Sequence, residues 1–268
     1  MIETAYAKLN LALHVRRRRD DGYHELETLF AFVDAGDVLS ARSAGRDELR
    51  TVGEFAQQLT DPFYNIVAKA LHALPHGPGW AVTLAKNLPV AAGLGGGSAD
   101  AGAVFRLVEA QHGLPADWRE RAAKLGADVP ACVRSVTCVG RGTGTDLTEI
   151  ANDLSGTPVL LVNPLIPLAT ERVFAGWDGI DLGGLPQGSV REIALSGRND
   201  LEISAVALCP AITEVLAALA QTKPLLARMS GSGATCFALY ETPDQRSAAL
   251  AGIKAAYPAW WTMAGNLR

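Results

Sequence analysis

The stretch "LPVAAGLGGGSADAG", residues 88–102, carries most of the information about the fold of this chain. Gly93, Gly95, Gly96 and Gly97 follow one another almost without interruption. Glycine is required where a Cβ would block the approach of a ligand to the backbone, or where a turn needs a positive φ. The stretch therefore predicts a loop whose backbone itself makes contacts.

The segments on either side of this loop predict a strand before it and a helix after it. Residues 80–89 alternate between apolar and polar side chains, which is typical of a strand. The apolar positions after the loop have helical spacing, and we expect this helix to have Ser98 as its N-cap and to end near Gly113. The N-terminus of a helix carries partial positive charge and free N–H groups, so the arrangement predicts phosphate binding. The apolar positions are Ala101, Val104, Phe105 and Val108.

Two known phosphate loops do not fit this stretch. A Walker A loop ends in Gly-Lys-Ser/Thr, but Gly97 is followed by Ser98 and Ala99. The dinucleotide fingerprint requires a third glycine where Ser98 stands, which disfavours a nicotinamide-dependent oxidoreductase. An ordinary flexible loop is the remaining alternative, and the strand-to-helix setting favours phosphate binding over it.

The composition is that of a globular protein with a core of small aliphatic residues. The 268 residues are 49% hydrophobic but only 6% aromatic, and the net charge is −4. This charge gives no electrostatic reason to expect a nucleic-acid partner. Arg16–Arg19 form a basic run followed at once by Asp20 and Asp21. We favour a solvated charged loop for the run, and a positive rim for an anionic ligand is the alternative.

Cysteine usage and the N-terminal sequence bear on the compartment. Cys132, Cys138, Cys209 and Cys236 form no CxxC pair, which favours small buried thiols in a reducing compartment over disulfides or zinc. The N-terminus lacks the order of a signal peptide, and no segment has 18 uncharged apolar residues. We expect a soluble, cytoplasmic protein without a membrane partner.

Along the chain, strand and helix patterns alternate without a regular βαβ repeat, which predicts a mixed α+β fold. The polar segment 152–158 is the best boundary, so we predict an N-terminal domain, 1–153, that binds the nucleotide, and a C-terminal domain, 154–268. Asn199 and Glu202 resemble a capping box before a further helix. The predicted strands are 5–15, 30–44, 80–89, 158–164 and the two ends of 137–150 and of 226–240; the predicted helices are 65–74, 117–125, 170–177, 210–219 and those described above.

Several ordered segments resemble the GHMP small-molecule kinases, whose signature is P-x-x-x-G-L-G-S-S-A. Here Gly96 stands at the first serine position and Gly97 is an extra glycine before Ser98. This G-L-G-G-G-S variant resembles one branch of the family, as do the segments "AYAKLNLALHV", "DDGYHELETLF", "LGADVPAC", "SGRNDLE" and "MSGSGATCFALY". These segments follow the family order from residue 5 to residue 240.

The resemblance implies both a fold and a reaction. The fold would have a ribosomal-protein-S5-like N-terminal domain and a C-terminal α/β-sandwich domain, with the active site in the interdomain cleft. ATP would be the phosphoryl donor. The acceptor would be a small molecule carrying a cytidine diphosphate group, a diphosphocytidyl sugar alcohol phosphorylated on the 2-hydroxyl of its methylerythritol unit. The pathway would be non-mevalonate isoprenoid synthesis.

The resemblance also implies roles for individual residues. Asp128 matches the catalytic aspartate that accepts the proton of the acceptor hydroxyl, and Lys8 matches the lysine that keeps this carboxylate ionised. Without the family, Asp128 would be a turn residue and Lys8 a lysine whose head reaches solvent. The predicted ATP-binding residues are Pro89, Val90, Ala91, Ala92, Gly93, Leu94, Gly95, Gly96, Gly97, Ser98, Ala99, and, near the adenine pocket, Asn65 and Lys86.

For the acceptor, Tyr23 and His24 resemble the pair that recognises cytidine, with Phe174 as the opposing face. Asn10 and Thr170 are candidate contacts to its polar groups. Without the family these would be ordinary core, surface or turn residues. The turn Gly231–Gly233 could close over the acceptor, stabilise the loop or simply form a hairpin.

Metal ligands and oligomeric state are less determined by the sequence. Mg²⁺ is expected with ATP, and Ser98 is the candidate protein ligand. We expect a monomer or a weak homodimer. Another GHMP kinase, acting on homoserine or mevalonate, and an inactive nucleotide-binding sensor are the alternatives; the first lacks a reason for Tyr23 and His24, and the second would not need Lys8 and Asp128.

Overall fold

The computed structural model describes residues 1–59 and 65–268. Two long strands, β1 (Ile2–Arg18) and β2 (His24–Ser43), pair with each other near the start of the chain. The chain packs into two compact units, each built from segments that are distant in sequence. Unit 1 consists of Met1–Lys8, Ala35–Val90 and Gly95–Ser135, and unit 2 of Leu9–Asp34, Ala91–Leu94 and Val136–Arg268.

These units differ from the division after residue 153 that chain order predicts. The reason is that β1 and β2 are long enough for their two halves to have different neighbours, so each strand contributes to both units. The two units group residues by their contacts in space, whereas the predicted boundary divides the chain at one point in the sequence. The predicted boundary after residue 153 therefore stays a prediction.

Unit 1 contains part of a β-sheet and a group of helices. Strand β3 (Glu48–Val52) runs parallel to β4 (Trp80–Ala85), and β4 pairs antiparallel with Val38–Ser43 of β2. The predicted strand 80–89 is confirmed up to Ala85. The helices of this unit are α1 (Ile66–Ala73), α2 (Gly96–His112), α3 (Trp118–Leu125) and α4 (Val129–Arg134), with a 3₁₀ turn at Ala56–Gln58.

Helix α2 confirms the predicted apolar face and corrects the predicted start. Val104, Phe105 and Val108 are fully buried, as the spacing predicts. The prediction that Ser98 is the N-cap was wrong, because the N-cap is Gly95 with a left-handed backbone at φ 59°. Without a Cβ, Gly95 can take this conformation, and the chain enters the helix before Ser98.

A close approach between α2 and α4 depends on Gly102. A Cβ at this position would overlap the carbonyl oxygen of Cys132. The backbones of the two helices are therefore in direct contact at this point, because glycine has no side chain to separate them. This packing matters for the site, because α4 begins directly after Asp128.

Unit 2 contains two groups of strands. Leu26–Phe30 of β2 pairs antiparallel with β5 (Cys138–Gly142), which pairs with β6 (Asp146–Glu149). The second group has the antiparallel order β10-β7-β9-β8. Its strands are β7 (Pro158–Asn163), β8 (Leu226–Met229), β9 (Cys236–Leu239) and β10 (Trp261–Asn266).

Helices pack on this second group and enclose an aliphatic core. Leu160 and Val162 of β7 meet Ile212 and Val215, and all four side chains are fully buried. The helices are α5 (Thr170–Ala175), α6 (Val190–Ser196), α7 (Glu202–Leu208), α8 (Ala211–Gln221) and α9 (Pro243–Ala256). All four cysteines are buried and no disulfide joins them, as the sequence predicts.

Two details of the unit 2 helices differ from or add to the sequence analysis. The predicted capping box at Asn199 was wrong: α7 has Leu201 as its N-cap, and the Asn199 amide instead donates to the carbonyl oxygens of Met229 and Gly231. Within the described part of the chain, no single helix is long and apolar enough to cross a membrane. Helices α7 and α8 together have that length and composition, but they are bent by 119°.

Candidate active site

The central feature of unit 1 is an ion pair between Lys8 of β1 and Asp128, the N-cap of α4. The Lys8 ammonium donates to Asp128 Oδ2 at 2.9 Å. The Lys8 side chain is 5% exposed, whereas that of Asp128 is 32% exposed. The carboxylate is therefore accessible to a solute, while the lysine that pairs with it is buried.

Arg106 of α2 holds the two elements that carry this pair. Its guanidinium donates to the carbonyl oxygen of Thr4 on β1 at 2.7 Å and to that of Cys132 on α4 at 2.7 Å. One rigid planar group thus joins the strand before Lys8 to the helix after Asp128. Arg106 therefore links β1 to α4 by hydrogen bonds.

The start of α2 lies beside the same pair. A Cβ at Gly95 would lie 3.1 Å from Lys8 Cε, and a Cβ at Gly126 would lie 3.8 Å from Ser98 Oγ. No side chain caps this helix start among the described residues. Unit 1 therefore brings together Lys8, Asp128 and an uncapped helix N-terminus. The predicted catalytic roles of Lys8 and Asp128 stay predictions.

Residues Ala91–Leu94 of the loop belong to unit 2 and are held by the turn after β8. Ser230 Oγ donates to the carbonyl oxygen of Gly93 at 2.9 Å, and Thr235 N donates to that of Ala92 at 3.2 Å. A Cβ at Gly93 would overlap Ser230 O, and its φ is 77°. Of the roles open for the turn around Gly231–Gly233, these contacts support stabilisation of the loop.

The segment that enters the loop contains a buried cluster. The Lys86 ammonium donates to Asp37 Oδ2 at 2.5 Å and to Asp100 Oδ2 at 2.8 Å. The three side chains are at most 2% exposed. Burial first, and then the neighbouring Asp37, raise the pKa of Asp100 well above its usual value, against the opposing effect of Lys86. The predicted contact of Lys86 with the adenine pocket stays a prediction.

The remaining predicted nucleotide residues have varied environments. Asn65 caps α1 by accepting a hydrogen bond from Val67 N at 2.9 Å, which accounts for an asparagine there without a ligand. Val90 is 37% exposed, whereas Leu94 and Ala99 are buried. Their predicted roles at the nucleotide, like those of Pro89 and Ala91, stay predictions.

In unit 2, two of the predicted cytidine residues, His24 and Phe174, form an aromatic cluster with Trp177. The His24 and Phe174 rings lie 5.1 Å apart, and Trp177 meets His24 edge-on at 5.8 Å. His24 Nε2 is buried and has no hydrogen-bond partner among the described residues. Burial, and then the charge of Arg18, lower the pKa of His24. Tyr23 is 64% exposed, a degree of exposure that makes its ring accessible to a ligand.

The other two predicted acceptor residues already have protein partners. Asn10 is buried, and its amide nitrogen donates to Thr28 Oγ1 at 2.7 Å. Thr170 Oγ1 lies 3.0 Å from Ser232 Oγ. Their contacts to an acceptor stay predictions.

The basic run Arg16–Arg19 is largely neutralised at the surface. Arg16, Arg17 and Arg19 pair with Glu27, Glu25 and Asp21, respectively. This pairing supports the predicted charged character of the run. The prediction of a loop was wrong for Arg16–Arg18, because β1 extends to Arg18. Arg18 differs, since its guanidinium donates to the carbonyl oxygens of Ala175 and Trp177 beside the aromatic cluster.

Metal ligation has no dedicated cluster in the described residues: no group of three or more His, Cys, Asp or Glu side chains could hold an ion. Sequence reasoning missed Asp37, Arg106 and Trp177. The signal for Asp37 was an acid within an apolar strand, and that for Trp177 was its spacing of three residues from Phe174. Arg106 gave no signal beyond a charge on a helix.

Comparison with known proteins agrees with this geometry. The family model for the GHMP kinase N-terminal domain matches residues 63–138, and that for the C-terminal domain matches residues 187–259. The chain is 70% identical over 266 residues to 4-diphosphocytidyl-2-C-methyl-D-erythritol kinase of Novosphingobium aromaticivorans, covering 99% of this chain and 92% of the relative.

Two further comparisons extend the likeness to a second relative and to a solved structure. The kinase of the same name from Erythrobacter litoralis is 61% identical over 270 residues, covering 99% of each chain. A crystal structure of 4-(cytidine 5'-diphospho)-2C-methyl-D-erythritol kinase superposes with a TM-score of 0.83 at 32% identity, covering 100% of this chain and 99% of the other. The predicted α+β fold with two GHMP kinase domains is confirmed, and the chain belongs to the GHMP family of small-molecule kinases.

Proposed function

We propose that this chain transfers the γ-phosphoryl group of ATP to the 2-hydroxyl of 4-diphosphocytidyl-2-C-methyl-D-erythritol. The products are the 2-phosphate and ADP, in the non-mevalonate route to isoprenoid precursors. The observation that carries the proposal is the Lys8–Asp128 ion pair beside the uncapped start of α2. The relatives that bear the name of this kinase over the full chain support the choice of acceptor.

The two side chains of the pair have separate roles in the transfer. Asp128 accepts the proton of the acceptor hydroxyl. The hydroxyl oxygen attacks the γ-phosphorus of ATP, and the bond between that phosphorus and the β–γ bridging oxygen breaks. Lys8 orients this carboxylate through the hydrogen bond from its ammonium group. Such general-base assistance contributes roughly 10²–10⁴-fold in rate, and positioning of the two substrates contributes more.

The triphosphate binds, on this proposal, at the start of α2. The first-turn N–H groups of Gly96, Gly97 and Ser98 supply donors and partial positive charge to an anion. Mg²⁺ bound to ATP fits this site, because phosphate and water oxygens supply most of its ligands and the protein needs to supply few. The Ser98 hydroxyl is the candidate protein ligand. Mg²⁺ would neutralise charge on the phosphates.

The cytidine base binds, on this proposal, at the aromatic cluster. Tyr23 offers an exposed ring for stacking. Phe174, whose ring lies 5.1 Å from that of His24, is the proposed opposing face. The buried, unpartnered Nε2 of His24 supports a hydrogen bond to the pyrimidine edge. A neutral imidazole suits this role, since one ring nitrogen can accept while the other donates.

We expect the enzyme to work in the cytoplasm as a monomer or weak homodimer, with small molecules rather than nucleic acid or membrane as partners. The net charge of −4 supports the absence of a nucleic-acid partner. The reducing cytoplasm suits four buried cysteines that form no disulfide with one another.

A coupled assay for ADP release tests the proposal with the diphosphocytidyl acceptor, mevalonate and homoserine. The first should give the highest kcat/KM. Tyr23→Ala should raise the acceptor KM about 5–150-fold, the equivalent of one lost stacking contact, and leave the ATP KM unchanged. Tyr257→Ala, at a tyrosine stacked on Trp260, is the matched control. Preference for mevalonate or homoserine, or ATP binding without ADP release, would reject the proposal.

A further inference from the structure

The buried triad of Lys86, Asp37 and Asp100 joins the two ends of the glycine loop. Asp37 Oδ1 accepts from Asn87 N at 2.5 Å and Leu88 N at 2.8 Å, which orients the chain as it enters the loop. Lys86 then bridges to Asp100, which lies in α2 just after the loop. All these hydrogen bonds lie within unit 1.

The triad lies directly under the start of α2. A Cβ at Gly96, the first residue of the helix, would lie 3.2 Å from Lys86 Nζ. The ammonium therefore approaches the backbone whose N–H groups would receive the phosphates. Because the triad is dry, its net charge acts on that site with little screening by solvent.

The charges of the triad do not balance if both acids are ionised. One ammonium would then face two carboxylates, and Asp100 Oδ1 is buried without a hydrogen-bond partner among the described residues. A proton on Asp100 removes the excess charge, so that no ionised oxygen is left buried without a hydrogen-bond donor. The raised pKa of Asp100 agrees with this count.

We infer that the triad carries no net charge and positions the backbone of the triphosphate site. In this arrangement Asp100 keeps its proton, and Lys86 acts through the loop backbone rather than by contacting the nucleotide. Lys86, Asp37 and Asp100 are thus positioning residues for the reaction. The inference rests on the proposed binding of ATP at α2 and is independent of which alcohol accepts the phosphoryl group.

Other charged groups near α2 act less directly on Asp100, whose pKa is governed by burial, Lys86 and Asp37. Lys8 and Asp128 lie at the helix start and are paired with each other. The charged and titratable groups on the helices packed against α2 are Lys69 and His72 of α1, Arg119, Glu120, Arg121 and Lys124 of α3, and Arg134 of α4.

Direct measurement of the ATP dissociation constant, by calorimetry without acceptor, tests the inference. Lys86→Met leaves the Asp37 charge uncompensated under the phosphates and should weaken ATP binding about tenfold, as one unit charge does at roughly 10 Å and an effective dielectric constant near 20. Removing both charges in Asp37→Asn/Lys86→Met should recover most of the lost affinity. Lys124→Met on α3 is the control for the lost lysine.

The proton is tested by the pH dependence of the same constant. As the pH rises through the raised pKa of Asp100, ionisation of its carboxyl group should weaken ATP binding to the wild type about tenfold. Asp100→Asn cannot ionise and should lack this loss, whereas Glu109→Gln near the other end of α2 should keep it. Asp100→Asn is nearly isosteric, so this arm remains readable if Lys86→Met does not fold.

Two results would overturn the inference while leaving the proposed function intact. Failure of the double variant to recover affinity would mean that Lys86 contacts the nucleotide itself. Coincident pH profiles of wild type and Asp100→Asn would mean that Asp100 carries no proton of consequence. A wild-type chain that binds no ATP at all would instead reject the proposed function, and this inference with it.

Discussion

Lys8 Nζ lies 2.9 Å from Asp128 Oδ2, although 120 positions separate the two residues in the chain. The pair joins a strand at the N-terminus to the start of α4. The lysine is buried and the carboxylate is partly exposed. This asymmetry suits a base that must meet a solute while its charge is held from inside the protein.

Removing the carboxylate should abolish most turnover. We expect Asp128→Ala to lower kcat about 10²–10⁴-fold, because the acceptor hydroxyl loses its base. ATP affinity should be retained, since phosphate binding uses the start of α2. ADP release and calorimetry measure the two effects, with Asp117→Ala on the exposed start of α3 as the control. Near-normal turnover in Asp128→Ala would contradict the assignment.

Adding one methyl group at Gly102 should disturb both stability and catalysis. In Gly102→Ala the new Cβ meets the carbonyl oxygen of Cys132, so α2 and α4 must separate. We expect a loss of about 1–3 kcal/mol in unfolding free energy and a lower kcat, because α4 follows Asp128. Gly252→Ala on α9 points into open space and should show neither loss in denaturant unfolding and ADP-release assays.

His14 should make stability depend on pH. Its Nδ1–H faces the carbonyl oxygens of Gly183 and Gly184, and its Nε2 accepts from Arg198 N at 3.2 Å, so the folded protein requires a neutral ring. Burial is the main cause that lowers the pKa of His14.

The sign of the pH effect follows from this lowered pKa. The unfolded chain binds the proton more readily, so the full unfolding free energy is present above about pH 6.5 and is lost as the pH falls through the folded pKa. Denaturant titrations between about pH 7 and pH 5 should show this decline. The slope should be smaller in His14→Gln and unchanged in His72→Gln, at an exposed histidine. Equal slopes in all three proteins would refute the prediction.

Ser230 should matter for the loop rather than for the chemistry. In Ser230→Ala the carbonyl oxygen of Gly93 and the amide of Asn10 lose their hydroxyl partner. We expect a loss of about 1–3 kcal/mol in unfolding free energy, the usual result of leaving buried polar groups unpaired, and weaker ATP binding. Ser247→Ala, on an exposed face of α9, is the control. Unchanged ATP affinity in Ser230→Ala would show that the Ser230 hydroxyl does not support ATP binding by the loop.

The local elements near the site were predictable because they depend on short-range periodicity. The helix after the glycines and its buried face at Val104, Phe105 and Val108 follow from spacing alone. The start of this helix was not predictable in the same way. A serine near a helix start is a common N-cap, but here the N-cap is a glycine with left-handed backbone conformation three residues earlier. Backbone conformation at a glycine leaves no mark on side-chain pattern.

The sequence alone determined the chemistry that is present: a glycine loop before a helix, a lysine in a strand, and an aspartate before a proline, in the order of a kinase family. Only the tertiary structure decided which of these groups meet. The Lys8–Asp128 pair, the hold of Ser230 on Gly93 and the buried triad around Lys86 each join residues from different elements. Such contacts arise from packing between distant segments, which periodicity within one segment does not encode.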